Sequence, residues 1–464
     1  MPGPMAQGLR CDGGLCLLRE AGLPTGHDTF IVIAPWPVRP RDGHTRETES
    51  MLTRRSAFKA AAGVAATATL GVTQGAQAAD KVLKVGVDLS FTGSDSESAN
   101  RHWNGAAMAF DEANKAHAVK GYTFQVEKFD DGTATAGQYD PAQAATNARK
   151  MVADKGFVAA LGPMMSGAGK AMSPILSAGN LPIITHSSTN PDITDPKFAA
   201  QYRPNGKAIY FRTVTTDAYQ GPNMANYMAK KLGVKSVFIL DDSGAYGVGI
   251  ADAFQGQAEK IGMKVLGRDR LDPKAADYAA ILTKIKSLNP DALYYGGVTQ
   301  AGTKLAKQAY EIVPNMIKAG GDGMQSIDLL KGAGFPAVDG WYATVASPHR
   351  DDSVPMMKKF SEEYKARYGY YPDDYAITIY VGAQAIINSA KGLAAAGKPV
   401  TRDTVRDALQ AVKMPNSLIG PVEFDENGDL KNKVISVFQI KKDTTMPLDD
   451  ADAQYKYVGL APGA

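Results

Sequence analysis

The chain has 464 residues, 44% of them hydrophobic, and its 51 basic and 48 acidic side chains leave a formal net charge of +3. That is apolar material enough for sizeable cores and for two domains rather than one. With no long run of one sign, the chain shows no nucleic-acid or membrane-surface footprint, and a small, individually held partner fits better.

Residues 1–50 are Pro- and Arg-rich without sustained periodicity and are expected to be a mis-called extension, because an export leader follows them. From Met51 the run MLTRRSAFKAAAGVAATATLGVTQGAQAAD has a basic start, a mildly apolar stretch and the cleavage pattern Ala76-Gln77-Ala78, so residues 51–78 read as a signal peptide. Arg54-Arg55, followed by Ser56, Ala57, Phe58 and Lys59, resembles the twin-arginine (Tat) export motif, with Sec export as the alternative. The apolar part falls short of the roughly 18 residues that a membrane-spanning helix needs. Both cysteines, Cys11 and Cys16, precede the cleavage site, so the mature protein is expected to have no disulfide, cysteine nucleophile or thiolate metal ligand.

Beyond the leader, apolar strands alternate with amphipathic helices: VLKVGVDL (82–89), a helix over WNGAAMAFDEANKAH, TFQVEKFDD (123–131), a helix, FVAALG (157–162), a helix and PIIT (182–185). A second round follows, with a helix over QGPNMANYMAKKLG, then SVFILDD (236–242), KVLGRDRL (264–271), ALYYGG (292–297) and MIKAGG (316–321), with a helix between each strand and the next. Such alternation predicts parallel sheets with helices on both faces, once per round. WYATVA, a long helix over about 377–396 and GPVEFDENGDLKNKVISVFQI are too little for a third domain and are expected to return to the two lobes. Ligands of such sheets sit beyond the carboxyl ends of the strands, where PIITHSSTNP places His186, Ser187, Ser188, Thr189 and Asn190 together.

Motifs for catalysis are missing. GPMMSGAGKA (162–171) has the wrong glycine spacing for a phosphate loop and Ala171 where a magnesium ligand would stand; GAYGVGIADAF (244–254) lacks the third glycine of a dinucleotide fingerprint. There is no Gly-x-Ser-x-Gly and no His-Glu-x-x-His, and only four of the six histidines follow the leader. The pairs Asp130-Asp131 and Asp241-Asp242 follow strands, where capping the next turn is the commoner use of an acid.

Taken in order, VGVDLSFTG, the double aspartate, ALGPMMSG, PIITHSST, SVFILDDSGAYGVG, YYGG, GGDG and GPVEFDENGDLK resemble the periplasmic leucine/isoleucine/valine-binding protein family, the type I solute-binding proteins of ABC transporters. The resemblance covers essentially the whole mature chain. It implies an α/β fold of two Rossmann-like doubly wound lobes joined by three crossovers, with one ligand between them. Lobe 1 is expected over 79–213 plus 347–421 and lobe 2 over 214–346 plus 422–464.

On the same resemblance, Ser166, Ser187 and Thr189 fall where the first lobe of the amino-acid binders holds the ligand's carboxylate and amine. Tyr246 matches an aromatic that packs over the ligand, and Asp322 matches the acid that pairs with its ammonium. Hydroxyls and helix-start N–H groups suit a carboxylate, and a carboxylate suits an amine. Taken singly, Ser187 and Thr189 could cap the next helix, Tyr246 could be core and Asp322 a turn residue. Ser98 and Val298 stand where the branched-chain binders carry aromatics, so the pocket is altered; the acidic, serine-rich loop SDSESANRHW after Gly93 could favour a more polar ligand, or Asp95 and Glu97 could only face solvent. The implied function is a periplasmic, monomeric binder that captures a small amino acid or related carboxylate for an ABC transporter permease, without cofactor, metal or nucleic acid. A sensor of the same fold is the alternative, and an enzyme comes third.

Overall fold

Strands that the sequence marks by unbroken apolar runs lie at the centres of two sheets. Phe157–Leu161 and Ala292–Gly296 are buried along their whole length, as strands covered by helices on both faces must be. The more polar Tyr122–Asp130 and Lys264–Arg270 lie at the sheet edges. The computed structural model describes residues 80–463 and, ahead of them, only the two-residue strands Cys11–Asp12 and Leu15–Cys16. The expected leader, with Arg54-Arg55 and Ala76-Gln77-Ala78, and the rest of the expected extension lie outside the described residues.

The first sheet runs Tyr122–Asp130, Lys81–Leu89, Phe157–Leu161, Ile183–Thr185, Tyr210–Arg212, all parallel. The second runs Lys264–Arg270, Ser236–Asp241, Ala292–Gly296, Ile317–Gly320, Tyr342–Val345 in parallel, and Ser436–Ile440 and Tyr455–Leu460 complete it antiparallel. The segment VISVFQI thus returns to the second sheet, as expected. Not anticipated from the sequence are the strands Tyr210–Arg212 and Tyr455–Leu460 and the helices Pro355–Tyr368 and Arg402–Gln410. The first of these strands is only three residues long, and the second is largely exposed, so neither shows a clear period.

Helix Ser96–Lys115 packs on the long helix Asp374–Ala395 over the first sheet. The approach is close at Gly105, where a side-chain carbon would stand 2.3 Å from the Ala376 carbonyl oxygen. Met357, Phe360, Tyr364, Val405 and Leu409 join the same core. Val422, Phe424 and Leu430 are buried in it too, with Phe424 5.0 Å from Phe211 between ring centroids, so this segment packs beside the edge strand Tyr210–Arg212.

The three connections between the lobes are tied to one another. Thr215 N–H donates to the Ala346 carbonyl at 2.7 Å, Val434 N–H donates to Thr215 Oγ1 at 3.1 Å, and Ser436 Oγ donates to the Ser347 carbonyl at 2.8 Å. They therefore form a narrow hydrogen-bonded band beside the cleft.

Candidate functional site

The loop after Ile183–Thr185 is shaped by a buried arginine. Arg212, fully buried on the neighbouring strand, donates to the carbonyls of Ser188 at 2.6 Å and Asn190 at 2.8 Å, to Thr194 Oγ1 at 3.0 Å and to Asp429 Oδ1 at 2.8 Å. Thr185 Oγ1 accepts the Ser188 N–H at 2.9 Å and donates to the Pro163 carbonyl at 2.8 Å, which joins this loop to the one after Phe157–Leu161. In that second loop Gly162 has φ +95°, and a side chain there would meet the Asp88 carbonyl oxygen at 2.1 Å, so only glycine fits. Ser166 then opens the helix Ser166–Ala178, and its hydroxyl accepts the Asn190 N–H at 3.2 Å.

These loops face the ends of the second sheet across one cavity. Ser98, Ser166, Ser187, Tyr246, Val298 and Asp322 all line it. Its volume is about 60 Å³, which at roughly 10–15 Å³ per water-sized occupant admits about four to six of them, the scale of a single amino acid. The lobes touch around it: Asn190 Nδ2 donates to the Ala245 carbonyl at 2.9 Å, and Ser98 donates through N–H and Oγ to Asp328 Oδ2 at 2.8 and 2.6 Å.

Thr189 departs from the expectation and does not line the cavity. Its carbonyl accepts the Asp217 N–H at 3.0 Å, which turns the residue into the junction between lobes. Its fully buried hydroxyl stands beside the Asp217 carboxyl. Ser187 does face the cavity, although its hydroxyl also donates to the Met164 carbonyl at 2.9 Å.

Asp322 is 6% exposed and has no cationic side chain in ion-pair range among the described residues. Its carboxylate accepts from Gln220 Nε2 at 2.8 Å and from the Tyr375 hydroxyl at 2.5 Å. Burial pushes its pKa up, and the Asp217 carboxyl behind it, also buried, is pushed well up by burial and by Asp322 itself. Tyr246 holds the loop in place, its hydroxyl accepting the Gly323 N–H at 3.1 Å.

Asp95, of the acidic first loop, lines the cavity, and so do residues not anticipated as site residues, His102, Asp373 and Tyr375 among them. His186 Nε2 lies 3.0 Å from His102 Nδ1, and His102 Nε2 lies 3.5 Å from Asp373 Oδ1. Burial drives the His102 pKa down to about 3 and that of His186 well below the usual range, so both rings are neutral at pH 7. The lining therefore carries the acids Asp95, Asp322 and Asp373 and, among the described residues, no lysine or arginine. A sequence signal existed for His186, which ends the strand beside Ser187. Tyr375 and Asp373 had none, since they start a helix far along the chain.

The double aspartates serve turns, as expected for acids after strands. Asp130 Oδ1 accepts the N–H groups of Thr92 and Gly132 at 3.2 and 2.8 Å, and Asp242 accepts those of Gly244 and Val298 at 2.9 Å each. Asp131 is buried beside Asp88, each with one carboxylate oxygen lacking a partner among the described residues, and burial raises the Asp131 pKa from 3.8 to about 7. Between those values the folded state keeps a proton that the unfolded chain gives up, so this group's stabilisation is complete below about 3.8 and is lost as pH rises through about 7. Asp131→Asn stays neutral and should gain stability on the parent, by on the order of 2 kcal/mol, between pH 4 and 7.5. Urea unfolding at several pH values measures this, and parallel pH profiles would contradict it.

A family model described as periplasmic binding protein matches residues 82–445. This chain belongs to the periplasmic binding protein family. The binding protein is 29% identical to the Leu/Ile/Val-binding protein BraC3 of Rhizobium johnstonii over 77% of this chain and 91% of that one. It is also 29% identical to a leucine-, isoleucine-, valine-, threonine- and alanine-binding protein of Pseudomonas aeruginosa, over 82% of this chain and 95% of that one. Among solved structures it resembles a leucine binding protein, LivK, from Thermotoga maritima with TM-score 0.69 and 24% identity, covering 82% of this chain and 98% of that one. A solute binding protein from R. palustris, solved in complex with benzoate, gives TM-score 0.67 and 20% identity over 82% of this chain and 97% of that one. The two-lobed α/β architecture is therefore that of type I periplasmic binding proteins, and a member of this family is a substrate-binding protein, not an enzyme.

Proposed function

We propose that this binding protein captures a small amino acid between its lobes in the periplasm and delivers it, as a monomer, to the permease of an ABC transporter. The observation that carries the reading is Asp322, a buried acid without a cationic partner, in the wall of a cavity whose other lobe offers serine hydroxyls and a helix start. A ligand ammonium supplies the charge that Asp322 lacks. Its carboxylate faces Ser166, Ser187 and the N-terminal end of Ser166–Ala178, where unpaired N–H groups favour an anion. The names of the relatives from Rhizobium johnstonii and Pseudomonas aeruginosa support an amino acid as the ligand class. The leader at 51–78 supports export, by the twin-arginine route.

Protein recovered from the periplasm should begin at or near Ala79, and its melting temperature should rise with an L-amino acid. A ligand at 100 times its Kd adds about 2.7 kcal/mol of stability. Thermal-shift screening of amino acids beside amine-free carboxylic acids is the test. A best ligand without an amine, or a mature product that still carries Cys11 and Cys16, would sink this reading.

A further inference from the structure

Asp95 immediately precedes the helix Ser96–Lys115, at the position where an aspartate ordinarily accepts the first backbone N–H groups of its helix. Here it makes no such bond. Those N–H groups are taken instead by Asp328 of the opposite lobe, whose carboxylate accepts from Glu97 N–H at 3.1 Å and Ser98 N–H at 2.8 Å. The Asp95 side chain is thereby released from its usual local use. It lines the cavity and is 3% exposed. Its carboxylate accepts from Ser94 Oγ at 2.6 Å, the Thr299 hydroxyl stands beside it as a second donor, and among the described residues no lysine, arginine or histidine lies in ion-pair range.

Asp322, across the cavity, has a different set of neighbours. Asp322 is held by Gln220, Tyr246 and Tyr375, whereas Asp95 sits with Ser94 and Thr299 in the field of Asp242 and Asp328. Asp95 and Asp322 thus form two separate acidic poles, Asp373 is a third lining acid beside His102, and Met164, Met165, Val298 and Ile327 give the lining apolar stretches. One ammonium answers Asp322. A buried carboxylate with accepting capacity left over and no cation nearby calls for a second donor from the ligand.

We propose, on the amino-acid reading of this same cavity, that Asp95 determines specificity and that the substrate is an amino acid whose side chain ends in N–H donors, an amide or a cation. The hydrocarbon stem of such a side chain lies against the methionines, Val298 and Ile327, and its end donates to Asp95. A branched-chain ligand leaves Asp95 buried without a partner, which disfavours leucine in this pocket. Because Asp328 reaches the helix start only when the lobes meet, closure and the release of Asp95 toward the ligand occur together.

Calorimetry on the full mature protein with L-lysine, L-glutamine and L-leucine tests this, for the parent and for Asp95→Asn and Asp95→Ala. The parent should bind lysine or glutamine at least about tenfold more tightly than leucine. Asp95→Asn should weaken a cationic ligand about tenfold or more yet spare an amide, whose N–H the introduced side-chain carbonyl would still accept, while Asp95→Ala should weaken both. Leucine bound as tightly as either polar ligand overturns the inference without any variant being needed. Unchanged affinity in both variants also overturns it and leaves the amino-acid reading intact. Failure of every amino acid to bind removes that reading and this inference together.

Discussion

Asp322→Ala is expected to weaken ligand binding by roughly 2–5 kcal/mol, the cost of leaving one partner of a buried charge pair uncompensated. In the closed protein the carboxylate is 6% exposed and is oriented by Gln220 and Tyr375, so it meets a ligand ammonium already in place. Stability of the ligand-free protein should change little. The hydrogen bonds from Gln220, Tyr246 and Tyr375 are lost, but a buried acid whose charged form is penalised, with Asp217 behind it, is lost too. Calorimetry with the best ligand from screening reads the first effect, and urea unfolding without ligand reads the second. Parent-like affinity in this variant would reduce Asp322 to a turn residue.

Arg212→Met should produce the largest loss of stability. The guanidinium serves the carbonyls of Ser188 and Asn190, Thr194 Oγ1 and Asp429 from a position with no solvent exposure. Methionine fills much of the volume but leaves both carbonyls without donors and Asp429 with the Thr194 hydroxyl alone, and breaking a buried pair in this way costs about 3–5 kcal/mol. Arg212→Lys should not rescue it, because one ammonium cannot reproduce a planar fork that reaches acceptors in several directions. Ligand affinity should fall alongside, since the carbonyls that Arg212 holds belong to the loop that carries Ser187. A urea midpoint equal to the parent's would show that the loop keeps its shape by other means.

Arg212 also marks how far local patterns reach. It lies on a three-residue strand that the sequence does not announce, yet it organises PIITHSSTNP, which the sequence announces clearly. Thr189 and Ser187, two positions apart, look equivalent as hydroxyls at a strand end. Only the interaction of the Thr189 carbonyl with Asp217, on the first turn of the helix Asp217–Leu232, separates the one that leaves the cavity from the one that lines it. The packing of Val422, Phe424 and Leu430 beside the strand of Arg212 is likewise not written locally, because their apolar side chains suit either sheet.

The amino-acid sequence by itself determined the two rounds of strand and helix, the central strands FVAAL and ALYYG, and the strand ends where Ser166, Ser187, Tyr246 and Asp322 stand. Those features follow from hydrophobic period and from short-range turn chemistry, both of which are written within a few neighbouring residues. Only the tertiary structure decided that Asp95 turns from its own helix into the cavity, that His102 and Tyr375 line it with their rings packed on His186, and that Asp328 caps a helix of the other lobe. Each of these depends on competition for a donor or an acceptor between residues far apart in the chain, and that competition is settled by which groups the packed lobes bring within about 3 Å.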